Sequence, residues 1–358
     1  MVNIIDLLRL TKQKGASDLH LVAGAPPMLR IDGSLGPIDG MEMELLSPEE
    51  ISEALIRLTT PEQREKFHRT LELDFAYSLP GVGRFRCNAA QQRGAISFAL
   101  RFLPPVIPSI DGLELPHICK ELALRPRGLV IVTGPTGSGK TTTLAAMVQH
   151  INANRTCHIL SIEDPIEYTH SNLQSVITQR ELETDTLSFA GALRHALRQD
   201  PDVILVGEMR DLETAAAVLT IAETGHLVLS TGHAPSAVQA MERIIDLFPP
   251  DERYLAQTRL ASLIIGVLCQ VLVPRASGSG RIAAVEIMLG SPAVRNLIRE
   301  GKIHQLLNVI RMSNYEGMLT LDQSLVNLYL RGTIVGETLF KFCNDKDEVE
   351  RLAGMVVV

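Results

Sequence analysis

The stretch GPTGSGKTTT, residues 134–143, gathers glycine, lysine and hydroxyl side chains directly after the apolar, β-branched run GLVIVT. Gly134, Gly139, Lys140 and Thr141 satisfy the pattern G-x-x-x-x-G-K-[ST]. Glycines in such a loop let successive backbone N–H groups curl around phosphate oxygens, and the helix that follows aims its positive end at them. Lysine at Lys140 is placed for the β- and γ-phosphates and the hydroxyl of Thr141 for Mg²⁺. With Thr136, Gly137, Ser138 and Thr142 completing the cradle, the expected ligands are ATP and Mg²⁺.

A phosphate cradle hydrolyses nothing by itself, so acids and positive charges are expected at neighbouring strand ends. DVILVGE ends on Glu208, a candidate for general base or for Mg²⁺, bound directly or through water. CHILSIEDPIEY offers Glu163 and Asp164, one of which would orient the attacking water. HLVLSTGHA is bracketed by His226 and His233, candidate sensors of the γ-phosphate. Arg84, Arg86, Arg93 and Arg101 fall on consecutive strands nearer the start of the chain. Guanidinium groups on a mobile domain stabilise developing phosphoryl charge.

The elements that must position these residues are legible from pattern. Apolar runs alternate with helical segments from residue 128 onward, which is the signature of a parallel sheet flanked by helices. Before it, residues 1–102 read as a smaller α+β domain. Its two helices start at Ser47-Pro48-Glu49-Glu50 and Thr60-Pro61-Glu62-Gln63, and three antiparallel strands end it. Asp32-Gly33 supplies a tight turn. The proline-rich segment 103–116 is expected to run extended as a linker, 117–358 to form the nucleotide-binding domain, and the chain from about 290 to be a helical bundle.

Composition narrows the function. The 358 residues are 46% hydrophobic and 21% charged, ordinary for a globular chain of two or three domains. The formal net charge of −7, without any long basic run, disfavours nucleic acid as a partner. Five scattered cysteines contain no C-x-x-C pair, so neither a zinc site nor a disulfide framework is indicated. The amino terminus lacks the features of a signal peptide, and the longest apolar stretch, 260–273, is interrupted by Ser262 and Gln270 and is too short to span a bilayer. A cytoplasmic protein is expected.

Taken together, these motifs resemble the secretion ATPase superfamily, and within it the PilT-like retraction ATPases of type IV pili. The resemblance runs along essentially the whole chain. It is carried by GASDLHLVAGAPPMLRIDG (15–33), the phosphate loop, ILSIEDPIEY (159–168), LRQDPDVILVGEMRDLET (197–214), TGHLVLSTGHA (224–234) and SPAVRNLIREGKIHQLL (291–307). It implies a PAS-like first domain, a RecA-like second domain, a homo-hexameric ring and mechanical work rather than chemical modification of a substrate. It also implies catalytic roles for Glu163, Glu208, Arg86 and Arg101, with His226 and His233 as the box histidines and Arg93 a weaker candidate. Implied partners are an inner-membrane pilus platform protein and a paralogous retraction ATPase. The histidine box departs from the family's G-T-L-H-T, reading Ser230-Thr231-Gly232-His233-Ala234. Extension ATPases of the superfamily carry a longer amino-terminal region and a tetracysteine zinc motif, and this sequence shows neither, which favours retraction. The alternatives are a weakly hydrolysing regulatory paralogue, the ATPase of a type II secretion-like system, and a DNA-directed or metabolic P-loop NTPase.

Overall fold

Local chemistry dictates where the first helices begin. Ser47 and Thr60 each accept a hydrogen bond from the backbone three residues on, while Glu50 and Gln63 reach back to the cap, and proline opens both helices, Pro48–Leu58 and Pro61–Thr70. The computed structural model describes residues 3–31, 33–103 and 106–354. Within them the chain divides into two compact units, Met1–Val106 with Glu167–Thr169, and Ile107–Ile166 with His170–Val358.

The first unit is built on six strands: β1 (Asp18–Val22), β2 (Met28–Ile31), β3 (Ser34–Pro37), β4 (Glu72–Leu79), β5 (Gly83–Gln92) and β6 (Ala95–Leu103). They pair antiparallel in the order β3-β2-β1-β6-β5-β4. Ile31 lies opposite Ser34; Asp32 of the expected turn is outside the described residues. Alternation sends Phe85, Cys87 and Ala89 of β5, with Phe98 and Leu100 of β6, into one core with Leu7 and Leu8 of the helix Ile4–Gln13 and Ile51 and Leu55 of the helix Pro48–Leu58. The opposite face of β5 and β6 carries Arg84, Arg86 and Arg101 among small and polar side chains.

The second unit holds β7 (Gly128–Thr133), β8 (His158–Glu163), β9 (Val176–Glu181), β10 (Val203–Val206), β11 (Leu227–Thr231), β12 (Ile264–Pro274) and β13 (Arg281–Leu289), ordered β13-β12-β7-β11-β10-β8-β9. Every neighbouring pair is parallel except the β12–β13 hairpin. All six residues of β7 are buried, because helices cover both faces of the sheet. The apolar stretch at 260–273 divides between the end of the helix Arg253–Leu263 and β12; buried on both sides, that strand has no polar face to show in sequence. No helix among the described residues is long and apolar enough to cross a membrane.

The segment 103–116 differs from a uniformly extended connection. Pro104 and Pro105 lie outside the described residues, but from Ser109 the chain folds into turns, with Leu113 N–H donating to Ser109 O and Leu115 N–H to Ile110 O. Ile110 and Leu115 are buried in the core of the second unit. At the other end, helices Leu321–Leu330, Gly336–Phe342 and Lys346–Ala353 pack on the outer half of the hairpin, against Val273, Ile282 and Ala284.

Candidate functional site

The phosphate loop leaves β7 at Thr133 and enters the helix Lys140–Asn154. Gly134 has φ 142°, and a Cβ there would lie 2.3 Å from the carbonyl oxygen of Gln270, so no side chain fits. Gly139, left-handed at φ 86°, caps the helix without any side-chain hydrogen bond, which leaves the first amides of the helix directed at whatever occupies the loop. The Ser138 hydroxyl is buried and has no partner among the described residues. A glycine cradle, a helix start without a side-chain cap and an orphaned hydroxyl fit a polyphosphate. The Lys140 ammonium donates to the carbonyls of Gly134 and Pro135, both at 2.9 Å.

The candidate acids and His233 line up beside the loop at the carboxyl ends of successive strands, where ligands of open α/β sheets collect. Next to β7 is β11, and His233 lies two residues past its end. Next is β10, followed at once by Gly207 and Glu208; then β8, which ends on Glu163. At a strand spacing of about 4.8 Å the row from loop to Glu163 covers roughly 14 Å. Side-chain bonds tie it together. Glu208 pairs with His233 Nε2 at 3.0 Å through one carboxylate oxygen and with Arg210 through the other. The Thr133 hydroxyl donates to Ala234 O and accepts from Ala234 N–H, both at 2.8 Å, fixing the chain just after His233 to the root of the phosphate loop. Arg243 donates to the His233 carbonyl at 2.9 Å.

Glu163 is buried, and one of its oxygens accepts from the Ser161 hydroxyl at 2.7 Å and from Gln179 Nε2 at 3.1 Å. The Gln179 oxygen accepts His170 N–H at 2.8 Å, so β9 holds both the acid and the loop beyond it. Gln179 is a residue that sequence reasoning passes over, since a glutamine on an edge strand carries no motif. Asp164 precedes a cis proline peptide.

His226 is placed apart from this row. It precedes β11, whose five residues span about 16 Å, and its Nδ1 is within 3.0 Å of the Thr224 hydroxyl and 3.1 Å of Ile221 O at the amino end of the sheet. Arg86 and Arg101 face each other directly across β5 and β6 in the first unit. Arg101 Nε donates to Asp18 Oδ1 at 2.9 Å. Burial opposes the Asp18 charge, but hydrogen bonds from Ser17 and Arg101 outweigh it and hold that carboxyl below its usual range. Arg84 binds the Ser78 hydroxyl, and Arg93 turns the corner between β5 and β6 with φ 49°.

Among the described residues no group of three or more His, Cys, Asp or Glu side chains could hold a metal on its own. Thr141, partly exposed at the helix start, and Glu208 offer the oxygen donors that suit Mg²⁺ shared with phosphate oxygens. All five cysteines are free, and burial pushes the thiols of Cys119 and Cys269 up to about 12, so these two stay protonated.

A phosphate loop with a strand inserted between it and the acidic strand defines a P-loop ATPase on a RecA-like sheet. The chain belongs to the family described as Type II/IV secretion system protein, whose model matches residues 114–323. It is 45% identical to the type IV pilus retraction ATPase PilT of Pseudomonas aeruginosa over 336 residues, 94% of this chain and 96% of that one. It is also 45% identical to the type IV pilus ATPase PilU of the same organism over 331 residues, 92% of this chain and 86% of that one. Its structure superposes on the crystal structure of the pilus retraction motor PilT with bound ADP, with a TM-score of 0.90, 42% identity, and coverage of 98% of this chain and all of that one.

Proposed function

We propose that this chain is the ATP-hydrolysing subunit of a hexameric motor that retracts type IV pili. The observation that carries the reading is the unbroken row of phosphate loop, His233, Glu208 and Glu163 along one edge of the sheet, in a chain that matches PilT over 94% of its length.

In this reading the amides of 137–142 and the Lys140 ammonium hold the triphosphate. Thr141 and Glu208 would hold Mg²⁺, directly or through water, and the ion would supply charge neutralisation to the phosphate oxygens. Glu163, fixed by Ser161 and Gln179, orients the attacking water, and a carboxylate accepts its proton as water oxygen bonds to the γ-phosphorus and the bond to the β-phosphate breaks. His233 reports on the site through Glu208. Arg86 and Arg101 supply positive charge to the transferred phosphoryl group, a tie that hydrolysis and release remove. The work is delivered to a platform protein at the cytoplasmic face of the inner membrane.

The test is surface pilus number in a piliated host carrying Lys140→Ala at the native locus. Excess pili that do not retract are expected. The equal identity to PilU supports a second reading, a regulatory paralogue in a mixed motor. Unchanged pili and motility, with negligible turnover by the purified wild-type protein, would favour that reading.

A further inference from the structure

Gln270 reaches the nucleotide site from the side opposite the acids, on the strand next to β7. Its side chain is 1% exposed, and both ends of the amide are engaged. Nε2 donates to the Ser138 carbonyl at 2.6 Å, and Oε1 accepts from the Thr143 hydroxyl at 3.0 Å. The amide therefore spans the last residues of the phosphate loop and the first turn of its helix.

The geometry points to Gln270 as a positioning residue for nucleotide: it fixes the orientation of the Ser138–Gly139 peptide. In a planar trans peptide, C=O and N–H point in opposite directions. With the Ser138 oxygen held towards β12, the Gly139 N–H is aimed away from β12, into the concave side of the loop. Glycine permits this peptide to rotate, because Gly139 has no Cβ to oppose other φ values. The hydrogen bond from Gln270 is what selects one orientation; the Ser138 carbonyl, which can only accept, takes the NH2 end of the amide, and the Thr143 hydroxyl donates to the other end. The Gln270 backbone also comes close to the start of the loop: its carbonyl oxygen occupies the space a Cβ on Gly134 would need. The loop is thus pre-organised before ligand arrives, and the cost of ordering it is not charged to binding.

This inference rests on the nucleotide site assigned above, and the experiment separates the two. Binding of a fluorescent ADP analogue and initial rates against ATP are measured on the full-length protein as wild type, Gln270→Met, Thr143→Val, the double variant and Lys140→Ala, with Tm alongside. Gln270→Met keeps the length and removes the donor and acceptor. It is expected to raise Kd and KM about tenfold, equivalent to about 1.4 kcal/mol, while kcat falls less than threefold. Thr143→Val is expected to raise Kd about threefold, and the double variant to bind no worse than Gln270→Met, because both act through one amide. Gln270→Asn, too short to span both partners, provides the comparison should the Met variant not fold, with a several-fold rise in Kd expected. A folded variant at position 270 that binds ADP as wild type does, whether or not its Tm has dropped, overturns the inference. Wild type and Lys140→Ala binding nucleotide equally would instead overturn the site itself.

Discussion

Glu208 shares its carboxylate between His233 and Arg210 and follows β10, the strand paired with the one that the histidine follows. A neutral amide there keeps the size and loses the charge that, in the proposed reading, holds a metal or takes up a proton. Glu208→Gln is therefore expected to bind ATP within about threefold of wild type while kcat falls about 10²-fold or more. Phosphate release near the wild-type rate would remove Glu208 from the chemistry. Lys140 and Thr141 are readable in the sequence because their spacing is imposed by one ligand within one strand-loop-helix unit, and Glu208 because an acid closes an apolar strand. Gln270 and Gln179 are not readable, since each meets its partners through the pairing of its strand rather than through a motif, across 132 residues for Gln270 and Ser138 and 16 for Gln179 and Glu163. His226 illustrates the converse: proximity in sequence to His233 says nothing once a strand runs between them.

At the scale of elements, β1, β6 and β5 carry a cross-strand row in which Asp18 stands opposite Arg101 and Arg101 opposite Arg86. Like charges directly opposite are destabilising, and Asp18 compensates through its bond to Arg101. Its carboxyl is held below its usual 3.8 in the folded state, so the stability it confers is complete above that value and is lost as pH falls through the lower folded value. Asp18→Asn is accordingly expected to lower Tm at pH 7. The gap from wild type should narrow only below about pH 4 and close in stronger acid. A gap constant from pH 7 to pH 2 would show that Asp18 acts through packing alone. The helix starts of this unit were legible because hydroxyl, proline and carboxamide fall at fixed offsets. The β12–β13 hairpin was not, because a strand buried on both faces shows a continuous apolar run that periodicity cannot assign.

At the scale of the whole molecule, the proposed motor is a closed ring, and its cycle is a property of the ring rather than of one subunit. If each hydrolysis moves an arginine-bearing unit and so changes the neighbouring subunits, one subunit that cannot bind ATP stalls more than its own share. Wild-type protein mixed with Lys140→Ala at fixed total concentration, with exchange of subunits allowed, is expected to lose turnover faster than the mole fraction of wild type. Equal parts should retain well under half of the activity. Turnover per wild-type subunit should also fall on dilution, since coupling between subunits is lost when the ring dissociates. Activity strictly proportional to the wild-type fraction and indifferent to dilution would mean that each subunit hydrolyses ATP alone. That outcome would leave the nucleotide site intact but remove the basis for reading this chain as a ring motor.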